Sequence, residues 1–173
     1  MKKNALTTQK TARLGLLTAA AMILSYVESL IPFFPGVPGI KLGLPNLVTV
    51  WLLWLGTAGE ALAVSVMRIL LTGFLFGNLY SILFSLAGGL LSLAAMAVLR
   101  RLEGFSIYGV SILGGVCHNM GQLLVAVLVV ETYRLAWYLP ALLVSGVVTG
   151  AVIGVISGIL VRRLAFLWKE EKR

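Results

Sequence analysis

The chain contains no aspartate, and its six acidic residues are all glutamate. It has one cysteine, Cys117, and one histidine, His118. Without aspartate there are no aspartate-rich pairs to hold Mg²⁺ against a diphosphate, because Mg²⁺ sites lean on carboxylates. A single cysteine excludes an intramolecular disulfide and a cysteine-rich metal site. A lone histidine with no Cys or Asp beside it makes a poor metal centre. The sequence also lacks a G-x-x-x-x-G-K-[ST] phosphate loop, a G-x-S-x-G elbow and an H-E-x-x-H helix. It reads as a non-enzyme without a resident cofactor or metal, and any uphill transport must draw energy from an ion gradient or a separate subunit.

What fills the 173 residues instead is apolar sequence: 60% of them are hydrophobic and the mean hydropathy is +1.01. A helix needs roughly 20 apolar residues to cross a bilayer. Six such runs fit, near 13–31, 42–58, 60–77, 79–99, 106–130 and 138–161, leaving a basic tail over 162–173 and no room for a soluble domain. The fold class expected is an all-α integral membrane protein, one domain of six transmembrane helices. The net charge of +8 is a topology signal rather than a nucleic-acid footprint. Lys2, Lys3, Lys10, Arg13, Arg100, Arg101, Arg162, Arg163, Lys169, Lys172 and Arg173 all fall at one end of a six-span arrangement, whereas Lys41 and Arg134 lie at the other. The positive-inside rule then makes both termini cytoplasmic. The first apolar run continues past Thr18-Ala-Ala-Ala21 to Ile31, too long for a cleaved signal peptide.

Gly146, Gly150, Gly154 and Gly158 recur every fourth residue in the sixth span. This smooth ridge admits close approach of another helix, and packing within the protein is the favoured use. The first span has a comparable row, Gly15, Ala19, Ala21 and Ser25, which equally suits a partner membrane protein. Trp51 and Trp54 either face lipid or wall a pocket, and Tyr108, Tyr133, Trp137, Tyr138 and Trp168 fit interfacial aromatic belts.

Polar groups at membrane depth are costly and mark candidate sites. Glu28 ends the first span; three prolines and two glycines follow in Pro32-Phe-Phe-Pro-Gly-Val-Pro-Gly39; Lys41 and Asn46 then open the second span. Asn78 ends the third span, and Arg68 lies near its middle. On the fifth, His118, Asn119 and Gln122 form a polar turn in which His118 and Gln122 share a face. Together these residues predict an outward-opening cavity with the 32–39 segment as lid, Arg68 as floor and the polar turn as wall. The competing use is structural, with Arg68 paired to Glu28 and the polar turn tying helices together.

Four blocks carry a resemblance: Ser25-Tyr-Val-Glu-Ser-Leu-Ile-Pro32, Pro38-Gly-Ile-Lys-Leu-Gly-Leu-Pro-Asn46, Arg68 with Gly77-Asn78, and His118-Asn-Met-Gly-Gln122. They resemble the bacterial membrane family labelled "Gx transporter" or "heptaprenyl diphosphate synthase component I", over nearly the whole chain. That family is similar in size and span count to substrate-binding S components of energy-coupling factor transporters. The resemblance implies an S-component-like bundle in the bacterial cytoplasmic membrane that captures a small organic solute, anionic or polar, from outside. It further implies docking of a transmembrane coupling subunit with two ATPases on the small-residue face of the first helix. Glu28, Lys41, Asn46, Arg68, Asn78, His118, Asn119 and Gln122 are the candidate ligand-binding residues for a small molecule or lipid. The alternative is a non-transporting membrane subunit of an isoprenoid, quinone or flavin-linked redox assembly, accessory to prenyl diphosphate synthesis.

Overall fold

The computed structural model describes residues 2–30, 43–102 and 104–165, with the side chains of 2–7 and 130 excepted. Lys41, the 32–39 segment and Trp168 therefore lie outside the described residues. Among these residues the chain forms α1 (Lys2–Leu30), α2 (Asn46–Leu55), α3 (Ala58–Phe76), α4 (Leu79–Arg101), α5 (Ile107–Val130) and α6 (Leu139–Leu164), with a 3₁₀ helix at Tyr133–Tyr138 before α6. The starts carry local signals. Thr57 and Glu60 form a reciprocal capping box at α3, Asn78 and Ser81 form another at α4, and the Ser106 hydroxyl accepts from Gly109 N at α5.

Four stretches are long and apolar enough to cross a membrane: Ala58–Phe76, Leu79–Arg101, Ile107–Val129 and Tyr133–Leu164. The 29-residue α1 has the length as well. The expected second span, 42–58, is corrected: α2 has only 10 residues, about 15 Å of helix against a hydrocarbon core of about 30 Å. Two residues explain its late start. Gly43 is in the left-handed region at φ 73°, which favours glycine, and Pro45 stands at the N-cap position.

Consecutive helices run in alternating directions. Lys10 of α1 pairs with Glu60 at the start of α3, and Tyr26 meets Phe76 near the ends of both helices, with ring centroids 5.2 Å apart; α1 and α3 are parallel. Arg100 at the end of α4 donates to Trp54 O at the end of α2, 3.1 Å away, and lies over the Trp54 ring. Lys10, Arg13, Arg100, Arg101, Arg162 and Arg163 consequently share one end of the bundle. Above them lies a core built on Val50, Leu52, Leu53, Met96 and Val110, each no more than 1% exposed.

The tightest packing is around α5. A Cβ on Gly150 of α6 would lie 2.7 Å from both Ile112 Cα and Ser111 O, and one on Gly121 would lie 2.7 Å from Ala87 O of α4. Helix backbones thus touch on both sides of α5, and the α6 glycine ridge serves internal packing as expected. Such contact replaces the hydrophobic drive that lipid does not supply. The outward faces carry apolar side chains such as Leu16, Phe74, Leu79, Leu124 and Val144, the surface a bilayer solvates. Tyr133 and Trp137 are each 86% exposed at the end opposite Arg100 and Arg162, where interfacial aromatics belong.

These contacts separate two glycines. Gly150→Ala should destabilise the protein by about 1–3 kcal/mol through overpacking, whereas Gly15→Ala, with nothing within 4 Å of the added Cβ, should not. Thermal unfolding of the two purified variants in detergent checks this, and equal midpoints would contradict the α5–α6 contact.

Candidate functional site

Arg68 lies on α3 facing α1, and it is 8% exposed. Its Nη1 donates to Ser25 Oγ at 3.5 Å, and the Glu28 carboxylate, one turn further along α1, interacts with it electrostatically. Glu28 also accepts a 2.5 Å hydrogen bond from the Gly43 amide. One carboxylate thereby joins the end of α1, the buried cation of α3 and the turn that starts α2. A buried charge without a counter-charge is strongly destabilising, and Glu28 is the acidic group that acts on Arg68 among the described residues. Arg68 is therefore a seam residue between α1 and α3, not part of the wall beside the α5 polar turn.

That polar turn faces two ways. Asn119, 5% exposed, donates both amide hydrogens toward α6, to Leu142 O at 2.8 Å and Ser145 Oγ at 3.0 Å. His118 and Gln122 lie against α4, where a Cβ on Gly88 would come 2.7 Å from His118 O and 2.9 Å from Gln122 Cγ. Their side chains bond to each other, Gln122 Nε2 to His118 Nε2 at 3.1 Å. With the amide so oriented, Gln122 donates and His118 Nε2 accepts.

Between α2, α4, α5 and α6 these groups enclose a cavity of about 20 Å³, with polar lining from Asn46, Ser92, Ser111, His118, Asn119 and Thr149 and with Gly43 at its rim. As it stands it has room for about one water. Its walls hold unused hydrogen-bonding capacity. The Ser111 hydroxyl, on a residue 2% exposed, has no partner among the described residues. Asn119 has committed its donors and keeps Oδ1 as an acceptor. No hydrogen bond engages the side chain of Asn46 or of the 2%-exposed Ser92 among the described residues. Buried polar groups are normally paired, so the unpartnered Ser111 hydroxyl on the wall of this cavity points to a ligand.

The expected site residues thus divide. Asn46, His118 and Asn119 line the cavity, and Gln122 orients His118. Glu28 reaches the rim through Gly43, and Arg68 stands apart. Asn78 is exposed and caps α4, its Oδ1 accepting from Ser81 N at 2.8 Å, so the structure does not bring it to the others. Lys41 lies outside the described residues. The small-residue row of α1 divides as well: Gly15 and Ala19 are exposed beside Leu16 and Ile23, whereas Ala21 is buried and Ser25 bonds Arg68. Ser92, Ser111 and Thr149 are the lining residues that sequence reasoning missed. The available signal was hydroxyl residues within a turn of the interhelical glycines: Ser92 near Gly89, Ser111 near Gly114, and Thr149 beside Gly150.

The model of one protein family, described as heptaprenyl diphosphate synthase component I, matches residues 17–160. No curated protein and no solved structure matches the chain.

The seam generates a double-mutant test. Glu28→Gln and Arg68→Met should each lower the thermal midpoint, and the double variant should lose less than the sum, with a coupling of about 0.5–3 kcal/mol. Strict additivity would contradict the pairing of Glu28 with Arg68.

Proposed function

The chain belongs to the heptaprenyl diphosphate synthase component I family, and on that premise we propose that it is a non-enzymatic membrane subunit that binds a small organic solute. The observation that carries this reading is the convergence of unpaired polar groups from α2, α4 and α5 on one cavity, with the Ser111 hydroxyl buried and unpartnered. A group whose only task is to tie helices together has a partner on the neighbouring helix, as Asn119 has in Leu142 and Ser145. Ser111 has none, which supports a ligand as its partner.

In the arrangement we propose, the arginine-bearing end faces the cytoplasm by the positive-inside rule, both termini are inside, and six helices lie in the bacterial inner membrane. Solute then enters from the opposite end, where Gly43 forms the rim. Because the cavity holds about one water, admission of a larger solute requires the start of α2 to move, and the Glu28–Gly43 hydrogen bond is the tether on that movement. The chain has no phosphate loop, so uptake would draw on a coupling subunit with ATPases, and the exposed Gly15–Ala19 face of α1 is the surface we assign to it. A second reading, a non-transporting accessory subunit of prenyl diphosphate or quinone metabolism, is favoured by the family's description as a synthase component.

Purification from native membranes in mild detergent, followed by mass spectrometry of released small molecules, distinguishes the two. A polar, water-soluble compound is expected with the native chain. In Ser111→Ala its retention should fall about tenfold, the loss of roughly one hydrogen bond. The thermal midpoint of that variant without ligand should stay level or rise, since an unsatisfied buried hydroxyl has been removed. A prenyl lipid or quinone in its place would favour the accessory reading, and equal retention by both proteins would remove Ser111 from the site.

A further inference from the structure

The charge class of the ligand can be read from the same walls. Asn46, Ser92, Ser111, Asn119 and Thr149 are uncharged, and His118 Nε2 is already engaged by Gln122. The buried cation, Arg68, is engaged by Glu28 and Ser25 at the α1–α3 seam and does not line this cavity. A helix N-terminus is the other common source of positive potential for an anion, and α2 begins at the rim. Its first amides are already in use: Asn46 N donates to Gly43 O at 2.8 Å, Leu47 N to Leu44 O at 3.1 Å and Val48 N to Pro45 O at 3.2 Å. A carboxylate or phosphate entering here would lose its hydration and meet no cationic side chain among the described lining residues.

The capacity that remains is of mixed sense. The Asn46 amide offers a donor and an acceptor, the Ser92 and Ser111 hydroxyls offer either, and Asn119 Oδ1 accepts. We propose that the cavity takes an uncharged group presenting adjacent hydrogen-bond donors and acceptors, such as a carboxamide, a cyclic ureide or a hydroxylated ring, and rejects the matching anion. This narrows the anionic-or-polar class that the sequence implied, and it rests on the reading of the cavity as a ligand site. Discrimination arises because the wall's remaining donors and acceptors can satisfy a neutral group, whereas a buried anion is left without a counter-charge among the described lining residues.

Affinity-selection mass spectrometry on the purified full chain tests this with matched pairs of equal concentration: uracil with orotate, benzamide with benzoate, and inositol with inositol monophosphate. Selection of at least one neutral member by about tenfold over its anion, lost in Asn46→Leu and in Ser111→Ala, is the expected result. Selection of an anion that is lost in those two variants would overturn the charge assignment and leave capture at this cavity standing. If no member is retained, or retention does not respond to the two variants, the capture reading itself fails.

Discussion

Lipid offers no hydrogen-bond partner to a helix, so a bundle within it is held by backbone contact and by internal pairing of its few polar groups. Here that constraint centres on α5. Its glycines let α6 approach on one side and α4 on the other, close enough that a methyl group at Gly121, or at Gly150 of α6, would collide with backbone. The polar turn exists within that packing. Asn119 uses both of its donors to hold α6, and His118 with Gln122 lies over Gly88 of α4. What this packing leaves unpaired falls where α2 stops short of spanning the bundle. The cavity follows from a short helix beside three long, tightly packed ones.

A second consequence concerns Arg68. A guanidinium near mid-membrane invites a functional reading, but the groups that act on it here belong to α1, Ser25 and Glu28. Glu28 serves Arg68 and the Gly43 amide at once, which couples the outermost turn of α1 to the rim of the cavity. The exposed side of α1, with Gly15, Leu16, Ala19 and Ile23, continues from the same helix. A protein bound along it would contact the element that holds the start of α2. Solute access and partner contact, in the function proposed, are therefore joined through one carboxylate.

Much of the bundle was legible from residue order alone. Run lengths located α3 to α6 within a few residues, because the bilayer fixes how much apolar sequence a crossing needs. The four-residue period of Gly146 to Gly158 identified an interhelical ridge. The α2 boundary was hard to read, since Leu42 to Gly56 is apolar enough for a span, and the φ of Gly43 with Pro45 at the N-cap marks the late start. Rotation about the helix axes was harder still. Glu28, Arg68 and His118 were placed at plausible depths, yet depth does not say that Arg68 turns to α1 while His118 turns to α4. The closeness of Ser92 and Ser111 to interhelical glycines was a weak signal, because a serine in an apolar helix usually bonds its own backbone, as Ser25 does with Ala21 O. Only the three-dimensional arrangement shows that the Ser111 hydroxyl lacks a partner and lines the cavity.

The central claim is that this cavity admits solute from the end opposite the arginines. Thr149 is half-buried on its wall at mid-depth, and Cys117 is the sole native thiol. Thr149→Cys in a Cys117→Ala background, treated in intact cells with a charged, membrane-impermeant methanethiosulfonate, measures that access directly. The account predicts modification from outside that slows when the co-purifying compound is present. Modification only after the cytoplasmic face is exposed, or a rate indifferent to the compound, would contradict it.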